Sequence, residues 1–172
     1  MRRIYDSEAL AADEDDPFKP NRAEEDDPGP RTVDWANASH ALVPMALRRR
    51  AVRVGVETDR ESYALDEPVR FRARFGNRFP IPVSLPTPTR VPWSWSVDGH
   101  EHASRVTVDN GDADGLFRFA RSEHKTFYRR WHQRFRESDD EWSAATPGDY
   151  RLRVWVSGYP ETLAAETTVR VE

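Results

Sequence analysis

The fold of this chain is decided by residues 69–77, which read VRFRARFGN. Val69, Phe71, Ala73 and Phe75 alternate with three arginines and a glycine. Successive side chains of a β-strand point to opposite faces of its sheet, so this period of two predicts a strand with one buried and one exposed face. It is the clearest strand in the chain, and the other elements are assigned around it.

Similar alternation recurs on both sides of this strand. It predicts strands over residues 51–57, 93–96, 116–120, 127–131, 150–156 and 165–171, with a return strand over 102–108 after the hairpin signal Asp98-Gly99. Five prolines between Pro80 and Pro92 exclude a central strand there, and the folded part shows no helical period. Seven or eight short strands in about 120 residues predict an all-β fold, a single Ig-like antiparallel β-sandwich.

The charge distribution predicts two parts. Residues 1–47 hold 11 acidic and 5 basic residues, whereas residues 48–172 hold 19 acidic and 21 basic ones. The first part has too little apolar surface to offset its ordering entropy, so we expect an acidic, mostly disordered N-terminal extension at 1–47. The sandwich domain is predicted at 48–172.

Composition excludes several classes of protein. The chain has no cysteine, which excludes disulfides, thiol catalysis and cysteine metal sites. It has no apolar run of membrane-spanning length, and no apolar run follows Arg2 and Arg3 as in a secretory signal. Of the 26 basic residues only Lys19 and Lys125 are lysine, a pattern typical of halophilic archaeal proteins. We therefore expect a cytoplasmic protein without membrane insertion.

Two motifs carry a family resemblance. Residues 63–71 read YALDEPVRF and residues 147–152 read PGDYRL, in which Tyr150 is placed to form a tyrosine corner. Residues 51–172 thereby resemble the Ig-like domain of the intracellular proteinase inhibitor family of bacilli, the BsuPI type. The whole chain resembles uncharacterised haloarchaeal proteins built as an acidic extension plus that sandwich. The resemblance implies the sandwich fold, and it makes proteinase inhibition one activity to test.

The sequence predicts structural and partner-binding residues separately. Structural roles are expected for Tyr63, Phe71, Trp95, Trp131, Pro147, Gly148, Tyr150 and Trp155, of which the three tryptophans are placed on inward positions. Partner binding is hypothesised for a basic and apolar tip, for two tryptophans outside the strands and for two prolines of a pre-ordered edge: Arg2, Arg3, Ile4, Tyr5, Leu10, Trp35, Trp142, Pro86 and Pro88.

These features favour a non-catalytic intracellular protein-binding module, such as an adaptor, an accessory subunit or a proteinase-inhibitor-like protein. No catalytic residue, metal ligand or cofactor is assigned. One alternative is a metal-dependent enzyme that uses His100 and His102, which alternate around Glu101. The other is an Arg-rich nucleic-acid binder that uses residues 127–136, although we do not expect nucleic acid as the partner.

Overall fold

A computed structural model describes residues 43–107, 111 and 113–172. Residues 1–42 of the predicted extension, with the tip residues Arg2, Arg3, Ile4, Tyr5 and Leu10 and with Trp35, lie outside the described residues. Those predictions therefore stay predictions.

The described chain begins with a short helix, α1 (Met45–Ala51). Three arginines occupy its last turn, where positive charge is favoured by the helix dipole. Arg48 is buried and its Nε donates to the carbonyl of Val43 at 2.7 Å. No helix was predicted after residue 47, because seven residues are too few to show a helical period.

The stretch at 69–77 forms the centre of a three-stranded antiparallel sheet. The order is β1 (Val52–Thr58), β3 (Val69–Asn77) and β8 (His124–Trp131). The valines of β1 and the apolar residues of β3 point inward, as the alternation predicted. Because β8 is the last strand in this order, it forms one edge of the sheet.

A five-stranded sheet faces it. Its order is β2 (Ser62–Tyr63), β12 (Ala164–Val171), β11 (Gly148–Val156), β5 (Trp93–Val97) and β6 (His100–Glu101). Only β2 pairs in parallel. Two short antiparallel ladders complete the fold: β4 (Val83–Thr87) with β7 (Gly115–Phe119), and β9 (Arg134–Arg136) with β10 (Trp142–Ala144). The predicted all-β Ig-like sandwich is confirmed.

Aromatic side chains from both sheets fill the core. The ring centroids of Phe71 and Trp95 lie 5.2 Å apart, and Trp131 packs against Tyr150 at 4.9 Å. Phe75 contacts three further aromatic rings and is fully buried. Contacts of this kind add to the large burial of each ring, so this layer stabilises both sheets together.

Two tyrosines close corners of the sandwich. The hydroxyl of Tyr150 donates to the carbonyl of Thr146 at 2.7 Å and accepts from its N–H at 2.9 Å, the geometry of a tyrosine corner. Pro147 and Gly148 lie exposed in this turn. Tyr63 is buried; its hydroxyl donates to Asp59 and accepts from the N–H of Arg60.

Two expectations were wrong. No return strand forms over the described residues 102–107, because His102 and Ala103 both have φ of 53° and turn the chain away after β6. Trp155 is half-buried rather than in the core. Its neighbours Val154 and Val156 take the inward positions of β11, which leaves the indole on the outer face of the five-stranded sheet.

Candidate functional site

The outer face of the three-stranded sheet is unusually basic. Alternation along its strands directs a set of arginines outward, which we call the arginine face: Arg53, Arg70, Arg72, Arg74 and Arg130. Tyr128 lies on the same face and is 72% exposed. Glu57 is the one acidic residue at an outward position of these three strands.

Glu57 neutralises part of the arginine face. Its Oε2 accepts from Nε of Arg72 at 3.0 Å and from Nη2 at 2.5 Å, and its Oε1 accepts from Nη1 of Arg74 at 2.9 Å. The hydrogen bond from Arg72 and the charges of both arginines hold the pKa of Glu57 below its usual value. One carboxylate thus serves two guanidiniums.

Arg70 and Arg130 occupy directly opposite positions on β3 and β8. Within the described part of the chain, neither side chain has a carboxylate within 4.0 Å. The nearby carboxylate of Asp59 accepts the hydroxyl hydrogen of Tyr63 instead. An open groove of about 650 Å³ runs over this end of the sheet, lined among others by Arg70, Arg130 and Tyr128.

The edge beside this face is free of strand pairing. The N–H of Asn77 donates to the carbonyl of Glu123 at 2.8 Å, which makes residues 77 and 123 a hydrogen-bonded pair. Bonded and non-bonded pairs alternate in an antiparallel ladder. The backbone N–H and C=O groups of alternate β8 residues therefore point away from β3, and in the described structure no strand pairs with them: His124, Thr126, Tyr128 and Arg130.

Charged side chains also occupy inward positions of β8. The Nζ of Lys125 lies 5.9 Å from the ring centre of Phe119, and the guanidinium of Arg129 lies 5.1 Å from that of Trp93. Inward-pointing charges on an edge strand oppose indiscriminate edge-to-edge association. The Nη1 of Arg129 also donates to the carbonyl of Tyr128 at 3.0 Å, so this one acceptor of the edge is already engaged. No described strand pairs with the remaining edge groups, and the inward charges protect them from aggregation.

The predicted proline surface lies elsewhere. Pro86 is exposed in β4, opposite Leu116 of β7, which is 42% exposed, and Pro88 is exposed just beyond the strand. Trp142 lies on the separate β9–β10 ladder and is 54% exposed. Pro86 and Trp142 belong to two different ladders, and Pro86 and Leu116 line an open groove of about 690 Å³ that is separate from the arginine face.

The predicted histidine pair separates into two environments. The ring of His100 packs edge-on against Phe135 at 5.6 Å, and that of His102 lies 5.5 Å from Trp95. His102 Nε2 lies 2.9 Å from the hydroxyl of Ser94, which also hydrogen-bonds Glu101. Burial lowers the pKa of His102. Ser94 is only 2% exposed, so this cluster links β5 to β6 and presents no accessible nucleophile.

Among the described residues, no group of three or more His, Asp or Glu side chains could hold a metal ion. Nor does that part of the chain contain a helix long and apolar enough to cross a membrane.

In the sequence, the arginines of β3 indicated a strand but were not predicted to form a binding site. The alternation showed that they share one face, but it could not show which strands lie beside them. The register places Arg130 opposite Arg70 and leaves the other edge of β8 open. Both features depend on the pairing of strands that are distant in the sequence.

Several solved structures are similar to this chain. The CARDB domain of a Pyrococcus furiosus protein, solved in complex with di-metal ions, is 12% identical over 70% of this chain and 91% of that one, with a TM-score of 0.45. The alkylpurine DNA glycosylase of Pseudomonas fluorescens, bound to DNA, is 15% identical over 71% and 30%, with a TM-score of 0.43. At these values the similarities carry no functional argument.

Comparison with protein-family models, unlike comparison with solved structures, identifies the family of this chain. No curated protein matches the chain. A family model described as "Family of unknown function (DUF7974)" matches residues 40–172, which include every described strand. The chain therefore belongs to the DUF7974 family, whose function is unknown.

Proposed function

We propose that this protein is a non-catalytic protein-binding module, and that an extended segment of its partner pairs with the free edge of β8. The observation that carries the proposal is the row of alternate backbone N–H and C=O groups on that edge, which no described strand satisfies. Adding a strand to such an edge supplies main-chain hydrogen bonds, while side-chain pockets give specificity.

The inward charges of β8 support selective rather than general pairing. Lys125 is paired with Glu123 at 2.8 Å, but the guanidinium of Arg129 lies over Trp93 without a described carboxylate within 4.0 Å, so a second copy of β8 would meet the same charge on the same side. Like charges across a strand pair are destabilising. A partner with different side chains escapes this cost, which favours a heterologous segment over self-association.

The remaining sequence hypotheses extend this proposal. The tip at residues 2–5, with Ile4 and Tyr5, would tether the same partner and raise its effective concentration at the edge. The exposed Pro86 and Pro88 would form a second contact. An adaptor, an accessory subunit and a BsuPI-like inhibitor are all compatible with strand addition, and the arginine-rich composition supports a salt-rich archaeal cytoplasm as the setting.

The edge can be tested with one substitution that leaves the fold's own ladder intact. The N–H of Thr126 points to the free edge, and its side chain is exposed. Thr126→Pro removes this donor and places a ring where the incoming strand would lie, whereas Thr126→Ala keeps the donor. Melting curves of both full-length variants verify folding.

The probe is a displayed library of random ten-residue peptides selected against the full-length protein. We expect selected peptides to bind the protein and the Thr126→Ala variant equally, and to lose about tenfold or more in affinity for Thr126→Pro, since a hydrogen bond is lost and the ring blocks approach. Equal binding to both variants, or a selection that yields no binding peptide, would overturn the proposal.

A further inference from the structure

We infer that the segment received by β8 is acidic, and that Arg70 and Arg130 form a clamp for its carboxylates. This inference rests on the proposed function and names the chemistry of the partner. It is carried by the arrangement of charges on the arginine face. The clamp lies immediately beside the free edge, because Arg130 is itself an edge residue.

The first step is the like-charge pair itself. Arg70 and Arg130 are directly opposite in an antiparallel ladder and belong to its non-hydrogen-bonded class, in which side chains approach closest. Two positive charges at such a position destabilise a sheet. The fold therefore gains nothing from this pair, and an anion between the guanidiniums would reverse the sign of the interaction.

The second step is that the described residues supply no anion to this pair. Glu57 is engaged by Arg72 and Arg74, and Asp59 is engaged by Tyr63. No carboxylate of the described residues lies within 4.0 Å of Arg70 or Arg130. Both guanidiniums keep their full set of hydrogen-bond donors, which suit a carboxylate in a bidentate geometry.

The third step is the geometry of strand addition. A strand beside β8 lies about 4.8 Å from it, and alternate side chains of that strand share the outer face. A Glu opposite Arg130 would lie about two strand spacings from Arg70, within the combined reach of these long side chains. A second Glu two residues along would face Tyr128, whose exposed hydroxyl can donate to it.

The same features favour a peptide over a nucleic acid. The free edge offers a repeating pattern of amide donors and acceptors, which another peptide backbone matches and a sugar-phosphate backbone does not. Single strands of nucleic acid are held by several stacking aromatics along a groove. Only two aromatic side chains, Tyr128 and His124, occupy outward positions of β1, β3 and β8.

Two synthetic ten-residue peptides test the inference directly. In one, Glu alternates with Val and Thr; in the other, Gln replaces every Glu. At about 0.1 M salt we expect the Glu peptide to bind the full-length protein about fivefold or more tightly than the Gln peptide, and the preference to shrink at about 1 M salt, where the screening length falls to about 3 Å.

Substitutions locate the clamp. Arg130→Gln and Arg70→Gln should each weaken the Glu peptide about three- to fivefold and leave the Gln peptide unchanged, since each removes one charge-assisted contact. Arg118→Gln is the matched control, because Arg118 is an exposed arginine of the β4–β7 ladder. It should change neither peptide.

The outcomes separate the inference from the proposed function. Equal affinity for Glu and Gln peptides overturns the acidic partner, and strand addition then stands or falls on the Thr126→Pro result. Weakening by Arg118→Gln equal to that by Arg130→Gln overturns the clamp, because it indicates general charge attraction. Tighter binding of a twelve-nucleotide oligothymidine than of the Glu peptide, lost on Arg130→Gln, would replace the peptide with nucleic acid.

Discussion

The two sheets of the sandwich arrange charge on their outer faces in opposite ways. On the five-stranded sheet, Asp149 lies directly opposite Arg170, and Arg153 lies opposite Glu166. Asp149 and Arg170 form a two-pronged ion pair at 2.7 and 3.0 Å. On the three-stranded sheet, Glu57 of β1 lies opposite Arg72, but between β3 and β8 the cross-strand neighbours Arg70 and Arg130 are both arginines.

This difference separates charges that stabilise the fold from charges available to a ligand. On the five-stranded face, Asp149 pairs with Arg170 and Arg153 lies 3.7 Å from Glu161, whereas exposed Arg151 has no carboxylate within 4.0 Å among the described residues. The strands β11 and β12 of this sheet are paired on both sides. On the three-stranded face, Arg53, Arg70 and Arg130 have no carboxylate within 4.0 Å in the described part of the chain, and Arg130 lies on an edge without a strand. A high arginine content is therefore weak evidence for a binding site. Stronger evidence comes from the strand register, when it shows that the arginines have no carboxylate partner within the chain.

The largest expected effect comes from making the three-stranded face resemble the five-stranded one. Arg130→Glu places a carboxylate opposite Arg70, so the clamp is filled from within the chain. We expect the Glu peptide to lose about tenfold or more in affinity, from one lost attraction and one new repulsion. Urea denaturation should show a free energy of unfolding raised by about 0.5 kcal/mol. Unchanged peptide affinity would contradict the account.

The reverse exchange tests the five-stranded face. Asp149→Arg creates a like-charge pair with Arg170, and we expect it to lower the free energy of unfolding, measured by urea denaturation. Asp149→Asn is the control and should cost less. Neither variant should gain affinity for the Glu peptide, because β2, the edge strand beside Arg170, is only two residues long; a gain would show that charge alone governs binding.

A smaller effect is expected where a carboxylate already competes with the ligand. Glu57→Gln removes the shared partner of Arg72 and Arg74 and leaves both guanidiniums available. Titration calorimetry should show the Glu peptide binding about two- to threefold more tightly, the size of one exposed ion pair. Weaker binding would mean that Glu57 positions the arginines rather than neutralising them.

The smallest effects are changes in carboxyl pKa. Arg72 lowers the pKa of Glu57, and Arg170 lowers that of Asp149. A pKa depressed by folding gives stability that is present above the ordinary carboxyl value and is lost as the pH falls through the folded-state value. Arg72→Gln and Arg170→Gln should therefore each raise the pKa of the partner carboxyl, measured by NMR titration; an unchanged pKa would show that the pair does not form in solution.

Much of the fold was predictable because it depends on local alternation. The apolar residues of β3 and β11 fall on every second position, and both strands form where the pattern predicted them. Trp155 was misplaced because aromatic character was given more weight than its position between Val154 and Val156. The return strand failed because positive φ at His102 and Ala103 has no signal in their residue types.

The candidate site was much less predictable than the fold. Arg70 and Arg130 lie opposite each other but are sixty residues apart in the sequence. No local sequence pattern therefore predicts that they are neighbours. The same is true of the free edge, which exists because β7 pairs with β4 rather than with β8. Pro86, Pro88 and Trp142 are exposed, but exposure alone does not bring them into one site, and their role in partner binding stays a prediction.

The most direct test of the central claim is a backbone amide NMR titration of the full-length protein with the Glu peptide. The account predicts that the largest shifts occur at the free-edge amides of His124, Thr126, Tyr128 and Arg130, with little change at β11 and β12. Shifts centred on the five-stranded sheet or on the β4–β7 ladder, with none along β8, would contradict it.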